Sequence, residues 1–301
     1  MIPFLSALSG EEAAGTPIDP AFPILKKLRL SRRARAQGPG GGSGASPSAS
    51  AAPLPQEPLG ARQPDGAGPS AQAVSHQSQQ KVIHILQKHG SSFCDELGID
   101  MQQGGKNALW QWFCAAVLFS ARIKSQAGAQ ACKALISAGL ESPEDMSLIS
   151  KQECRQLLRD SGYDRYDDKT AGFLVDDAHL LLTHDKGDFG KLRDAAGRDP
   201  AQERLLLKKF KGIGDGGVDI FFREAQLVWD EIYPFADKKA LKAARLVGFR
   251  EHPKVLAELC QNDIPTFVRL VAALVRMELS KSYNDVQSQA QLRPPHSTPQ
   301  S

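Results

Sequence analysis

From residue 79 to about residue 280, apolar residues recur at intervals of three and four, and the alternation of a half-buried strand is almost absent. That pattern restricts the ordered part of the chain to an all-α fold. Val82, Ile83, Ile85 and Leu86 begin an amphipathic helix that closes at His89 and Gly90, where glycine is a natural cap. Residues 107 to 119 carry Leu109, Trp110, Phe113, Ala116, Val117 and Leu118 and are apolar nearly all round, which predicts a buried central helix. Further helices are expected over 125–138, 142–148, 150–160, 169–183, 200–210, 218–229, 237–247, 254–259 and 264–279. Ser142 ahead of Pro143, and Ser150 three residues before Glu153, are start signals for two of them.

Ahead of this region the composition changes. Residues 38 to 78 are almost wholly Gly, Ala, Ser, Pro and Gln without an aromatic side chain, so they bury too little apolar surface to offset chain entropy. The expected organisation is a disordered arm over 1–78, one helical domain over 79–285 and a disordered tail over 286–301. Six of the ten residues from 26 to 35 are basic: Lys26, Lys27, Arg29, Arg32, Arg33 and Arg35. Such a run reads as a nuclear import signal or as a non-specific phosphate contact. A mitochondrial or plastid transit peptide is the rival reading, against which stand the acidic residues Glu11, Glu12 and Asp19. The net charge of +3 allows nucleic-acid binding without demanding it. The absence of any apolar run of about 18 residues argues against a membrane span.

Cys94, Cys114, Cys132, Cys154 and Cys260 lie far apart, without the two-to-four-residue spacing of a zinc or iron–sulfur site. The seven histidines likewise show no His-x-x-x-His face, so the expectation is no metal and no cofactor.

Residues 208 to 222 read as a helix end, a tight Gly-Ile-Gly turn and a new helix. Gly212 and Gly214, on either side of Ile213, supply the positive φ such a turn uses and put no side chain between backbone and ligand. The amides opening the next helix face outward with a positive dipole behind them, and Lys208, Lys209 and Lys211 add cationic charge. That arrangement suits a phosphate backbone. It also suits a plain helix-turn-helix corner in which glycine serves geometry alone.

Four segments in order resemble the helix-hairpin-helix DNA glycosylases, the superfamily of endonuclease III and adenine-mismatch glycosylase. They are residues 118–124 (Leu-Phe-Ser-Ala-Arg-Ile-Lys), 162–169 (Gly-Tyr-Asp-Arg-Tyr-Asp-Asp-Lys), 210–214 (Phe-Lys-Gly-Ile-Gly), and 235–237 (Phe-Ala-Asp) followed by 243–249 (Ala-Ala-Arg-Leu-Val-Gly-Phe). The resemblance covers most of 80–280. It implies a two-lobed helical fold with a helix-hairpin-helix motif, and a monomer that binds double-stranded DNA and extrudes a base into the cleft between the lobes. The implied activity is hydrolysis of the bond from base to sugar; the basic run at 26–35 makes the nucleus the expected location, with mitochondrion or plastid as the alternative.

By the same resemblance Asp237 occupies the place of the carboxylate that stabilises the cationic sugar, although Asp just ahead of a helix is also an ordinary N-cap. Gly216 stands where strand-cleaving relatives carry a lysine nucleophile, so a lyase is not expected. The alternative to a glycosylase is therefore a helix-hairpin-helix module that binds DNA without catalysis. Arg122 falls where the family places a residue that enters the gap left by the extruded base, and equally suits a helix C-terminus. Lys238 and Lys239, directly after Asp237, are candidates for a further phosphate contact or, as a lesser alternative, for an amine, although lysines at such positions are commonly solvated surface residues. The iron–sulfur cysteines of endonuclease III are missing.

Overall fold

A computed structural model describes residues 69–283, with side chains from His76 onward. These residues form thirteen α-helices and one 3₁₀ turn, with no strand among them. In chain order they are α1 (Pro69–His89), α2 (Phe93–Leu97), α3 (Gly105–Ser120), α4 (Ser125–Ser137), α5 (Pro143–Ser147), α6 (Lys151–Asp160), α7 (Asp167–Asp185), α8 (Phe189–Ala195), α9 (Pro200–Leu207), α10 (Asp215–Ala225), the 3₁₀ turn (Asp230–Ile232), α11 (Lys238–Leu246), α12 (Pro253–Leu259) and α13 (Ile264–Ser280). The basic run at 26–35 and the tail expected over 286–301 lie outside the described residues.

The all-α expectation holds, and the start signals behave as read. Ser150 Oγ accepts from the Glu153 amide at 3.2 Å while the Glu153 carboxylate accepts from the Ser150 amide at 2.9 Å, closing a capping box. Pro143 enters the first turn of α5 behind the Ser142 cap. Two short helices escape the reading, because each has too few turns to show a period and, unlike the equally short α5 and α12, no proline in its first turn to mark its start. The first, α2, is opened by a capping box between Ser92 and Asp95, and the second, α8, by the Asp188 side chain. Helix α1 starts at Pro69, ahead of the expected boundary at residue 79. Proline suits a first turn, and no glycine or proline interrupts the chain from Ser70 to His89.

The buried apolar side chains gather in two cores. One runs from Cys94 to Ile232 and contains the elements from α2 to the 3₁₀ turn. The other joins Val82 and Ile85 of α1 to Ala236 and to α11, α12 and α13. The start and the end of the described chain thus share one core, and the middle builds the other.

Helix α3 organises the first core. Trp110, Trp112 and Phe113 are wholly inaccessible, and the Phe113 ring meets Phe189 at 5.0 Å, Phe210 at 5.1 Å and Phe221 at 6.4 Å between centroids. The aromatics at 110, 112, 113, 221 and 222 are all buried, so none is a platform for stacking a base. Helices α3 and α10 run antiparallel. Val117 and Ser120 near the end of α3 lie against Gly212 and Gly217 around the start of α10, whereas Trp112 Nε1 donates to the Phe221 carbonyl at 2.9 Å near the middle. Phe113→Ala removes a ring that four others contact, Trp110 being the fourth at 5.7 Å, and should cost about 3–5 kcal/mol, measured by urea unfolding. Because Phe210 leads into the 208–214 turn, the same variant should raise amide exchange of that turn.

Candidate nucleic-acid interface

Helix α9 ends at Leu207, and seven residues later α10 begins behind Gly214. Between them Phe210 and Ile213 turn inward to about one-twentieth exposure, and Lys208, Lys209, Lys211, Gly212 and Gly214 remain outside. The two apolar anchors fix the turn while its backbone faces solvent. Gly212 has φ +76°, and a Cβ there would come within 2.8 Å of the Phe173 ring and 3.2 Å of Val117 Cγ1. Glycine is required at this position on both counts. The expectation of positive φ fails at Gly214, whose φ is −104°, because it serves as the extended N-cap residue of α10. A Cβ at Gly214 or Gly216 would meet nothing within 4 Å, so the rim of the turn is open. No side chain caps the first turn of α10, which leaves its amides directed outward.

The lysines around this rim are largely committed. Lys208 Nζ lies 2.8 Å from Asp215 Oδ1 and Lys211 Nζ lies 2.6 Å from Asp176 Oδ2, both at exposed positions. Lys209 is exposed and lines, with Lys211, a cavity of about 420 Å³ whose other walls include Asp176, Asp177, His179 and His184. Exposed ion pairs of this kind are worth about 0–1 kcal/mol, so a phosphate can displace either carboxylate. Asp177 does a different job. It is 1% exposed, its Oδ1 accepts from the Lys211 amide at 2.8 Å, and its Oδ2 has no partner. Burial pushes its pKa up to about 8, with Asp176 adding to the rise and the Lys211 amide and charge opposing it. A largely neutral carboxyl group therefore fastens the turn to α7.

The turn after α3 carries Arg122, exposed, next to this rim. A Cβ at Gly217 would touch Ser120 Oγ at 2.7 Å, which brings the 120–124 segment beside the first turn of α10. Gly212, Gly214, Lys208, Lys209, Lys211 and Arg122 therefore share one neighbourhood.

Asp237 lies elsewhere. Helix α10 rises about 12 Å between Asp215 and Arg223, and it is Arg223, in its last turn, that holds Asp237. Arg223 Nε donates to Asp237 Oδ2 at 2.7 Å, and Nη2 donates to the same oxygen. Oδ1 accepts from the amides of Lys239 and Ala240, each at 2.9 Å, as the N-cap of α11. The side chains of Arg223 and Asp237 are 8% and 4% exposed. Both carboxylate oxygens are occupied, and the N-cap role weighed from sequence is the one the geometry displays. Lys238 follows on the surface. Gln226 secures the approach: its Nε2 donates to the Phe235 carbonyl at 3.1 Å and its Oε1 accepts from the Phe235 amide at 2.9 Å. The Tyr233–Pro234 peptide in that segment is cis.

Arg223, Gln226 and Asp177 were not among the expected site residues. Each left a signal, being a polar residue spaced three or four from buried apolar neighbours: Asp177 between Leu174 and Leu181, and Arg223 after Ile220. Among the described residues no group of three or more His, Cys, Asp or Glu is placed to hold a metal ion, and no helix is long and apolar enough to cross a membrane. Comparison with protein-family models, with curated proteins and with solved structures finds no match.

Two outcomes follow from these buried charges. Arg223→Leu leaves Asp237 buried and unpaired and should cost about 3–5 kcal/mol, whereas Arg223→Leu combined with Asp237→Asn keeps an N-cap without the charge and should recover much of that loss on urea unfolding. The second outcome concerns pH. Asp177, pushed up to about 8, and Glu224, wholly buried and pushed up to about 7, each hold a proton in the folded chain that the unfolded chain has released. The stability these two groups contribute should therefore fall as pH rises above about 5 and level off above about 8. Asp177→Asn should flatten that fall, read from melting temperatures between pH 5 and 9.

Proposed function

We propose that this chain binds double-stranded DNA through the rim of the 208–217 turn, with Arg122 beside it, and that it acts as a binding module without excising a base. What supports a nucleic-acid role is the open glycine edge of the turn: Gly212, Gly214 and Gly216 leave backbone exposed at the start of α10, and Lys209 and Arg122 flank it. What favours binding over excision is Asp237. A carboxylate that stabilises a cationic sugar must keep an oxygen for the developing charge. Both oxygens of Asp237 already serve Arg223 and the first turn of α11. Gly216, open to solvent, supplies no amine for strand cleavage.

A glycosylase that hydrolyses the N-glycosidic bond of a damaged or mismatched base is the second reading. The observation in its favour is the place of Asp237 on the chain, directly after the crossing from Ile232 of one core to Ala236 of the other, close to where a cleft between two lobes would lie in the fold the resemblance implies. It requires Arg223 to release a carboxylate oxygen when DNA binds.

The discriminating experiment is an excision assay on duplexes with deaminated, oxidised, alkylated and mismatched bases, alongside binding to the same duplexes. We expect salt-dependent binding and no excision. Lys209→Gln should weaken binding by about 3- to 10-fold regardless of sequence and reduce the salt slope by about 1. Excision that Asp237→Asn abolishes would reverse the order of the two readings.

A further inference from the structure

The cavity of about 420 Å³ beside the 208–217 turn is built from polar residues. One wall is a face of α7 that carries Asp176, Asp177, His179 and His184, and Lys209 and Lys211 of the turn supply the other. Leu180 is the one apolar residue among the described residues that line it, whereas a pocket for an apolar ligand is lined mostly by hydrophobic side chains. Two of its polar groups are already engaged: Thr183 Oγ1 donates to the His179 carbonyl at 2.8 Å, and Asp176 Oδ2 accepts from Lys211 Nζ at 2.6 Å. Asp177 is different. It is 1% exposed, and the oxygen that the Lys211 amide leaves unused has no partner. A buried polar atom in that state is unfavourable, and a ligand atom that meets it removes the penalty. Because burial holds this carboxyl group largely neutral, it offers a ligand an O–H and not a second negative charge. The groups left for a ligand are therefore mainly donors, which calls for a ligand rich in acceptor oxygens.

The charges around the cavity select the form of that ligand. Lys211 is paired with Asp176, and the Lys209 charge acts on Asp185, so the walls at rest are close to neutral. The Lys211–Asp176 pair is exposed on both sides and yields readily to a competing anion. A phosphodiester within a continuous strand carries one negative charge, so putting it in place of the Asp176 carboxylate on Lys211 is an even exchange. A phosphate monoester carries about −1.5 to −2 charge at pH 7 and three acceptor oxygens. It outcompetes the carboxylate it displaces, and it has an oxygen for each of Lys209, Lys211 and the Asp177 O–H. We propose that this cavity binds a phosphate monoester, and that in the DNA-bound chain its occupant is the terminal phosphate of a strand end. The second half rests on the DNA-binding reading above, because Lys209 and Lys211 belong both to the cavity and to the turn. The turn then grips the duplex beside an end or a break, and the cavity holds the terminus.

The test uses the full-length chain and one short duplex made in two forms, with phosphate or with hydroxyl at its 5′ ends, titrated at about 100 mM salt. The phosphorylated form should bind about 10-fold tighter, the order expected of one hydrogen bond to a charged group. Lys211→Gln should bring the two forms to within about 2-fold of each other, and Asp176→Asn, which removes the competing carboxylate, should widen the preference. Both substituted residues are exposed and belong to neither core, so the melting temperature should change little. A second arm titrates a nucleoside 5′-monophosphate against the imidazole proton resonances of His179 and His184, where shifts that Lys211→Gln abolishes are expected. If those shifts occur but the two duplex forms bind alike, the occupant is a free nucleotide and the strand-end assignment is overturned. If no shift occurs and the duplex forms bind alike, the site itself is overturned while the DNA-binding reading stands. If the wild-type chain binds neither duplex at about 50 mM salt, the DNA-binding reading has failed, and the nucleotide arm alone decides the site.

Discussion

Three buried polar side chains at the end of α10 anchor its neighbours, and one of them, Arg223, joins the two cores. Arg223 holds Asp237 at the start of α11, Glu224 accepts from the Phe93 amide at 2.8 Å at the start of α2, and Gln226 brackets Phe235. None is more than 8% exposed. A buried charge without a partner costs several kcal/mol and a buried neutral polar group without a hydrogen bond about 1–3 kcal/mol, so each of these groups is tolerable only with its partner in place. The orientation of α11 relative to α10, and with it the seating of the second core, follows from meeting that condition. Arg276 adds to the same seam, donating to the carbonyls of His89, Ser91 and Ser92 while lying 4.5 Å from the Phe93 ring centroid.

The other end of α10 obeys the opposite rule. There polar groups are left open: the first-turn amides lack a side-chain cap and the glycines at 214 and 216 add no bulk. One helix thus has a closed end, where polar atoms are matched and buried, and an open end, where they await an external partner. The open end is kept rigid from below by Phe210, Ile213 and the Asp177 carboxyl group, which accepts from the Lys211 amide. Rigid backbone donors lose little conformational freedom when an anion arrives. Their surroundings, with Asp176 and Asp215 pairing two of the lysines, moderate the attraction.

A second carboxyl pair shows how much charge the first core accommodates away from any open surface. Glu203 is wholly buried beside Glu231, and Arg193 donates to Glu231 and to Asp230. Burial and the neighbouring Glu231 push the Glu203 carboxyl up, while Arg193 helps hold Glu231 well below the usual carboxylate range. Glu203 is thus held neutral beside an ionised Glu231, and the Arg193 guanidinium also lies 5.8 Å from the Trp229 ring centroid. The arrangement ties α8, α9 and the 3₁₀ turn together and has the same logic as the Arg223–Asp237 pair.

Much of the helical layout was legible in the sequence, because a spacing of three and four repeats over several turns and because Ser, Asp and Pro mark helix starts by local hydrogen bonding that does not depend on the rest of the fold. The buried character of α3 was visible in Trp110, Trp112 and Phe113, and the 208–214 turn in its glycines, with Gly212 adopting the positive φ expected of it. Helices α2 and α8 were too short to show a period. What the sequence by itself determined is therefore local: which segments are helical, where most of them begin, and where the backbone needs glycine. Only the tertiary structure decided which charges are spent inside the molecule. Asp237 reads alike as a cap and as a reactive carboxylate until Arg223, fourteen residues earlier, is seen to reach it, and Lys211 reads as an open cation until Asp176 on α7 is seen beside it. Partner choice between distant side chains depends on how the helices pack, and helical periodicity carries no information about that.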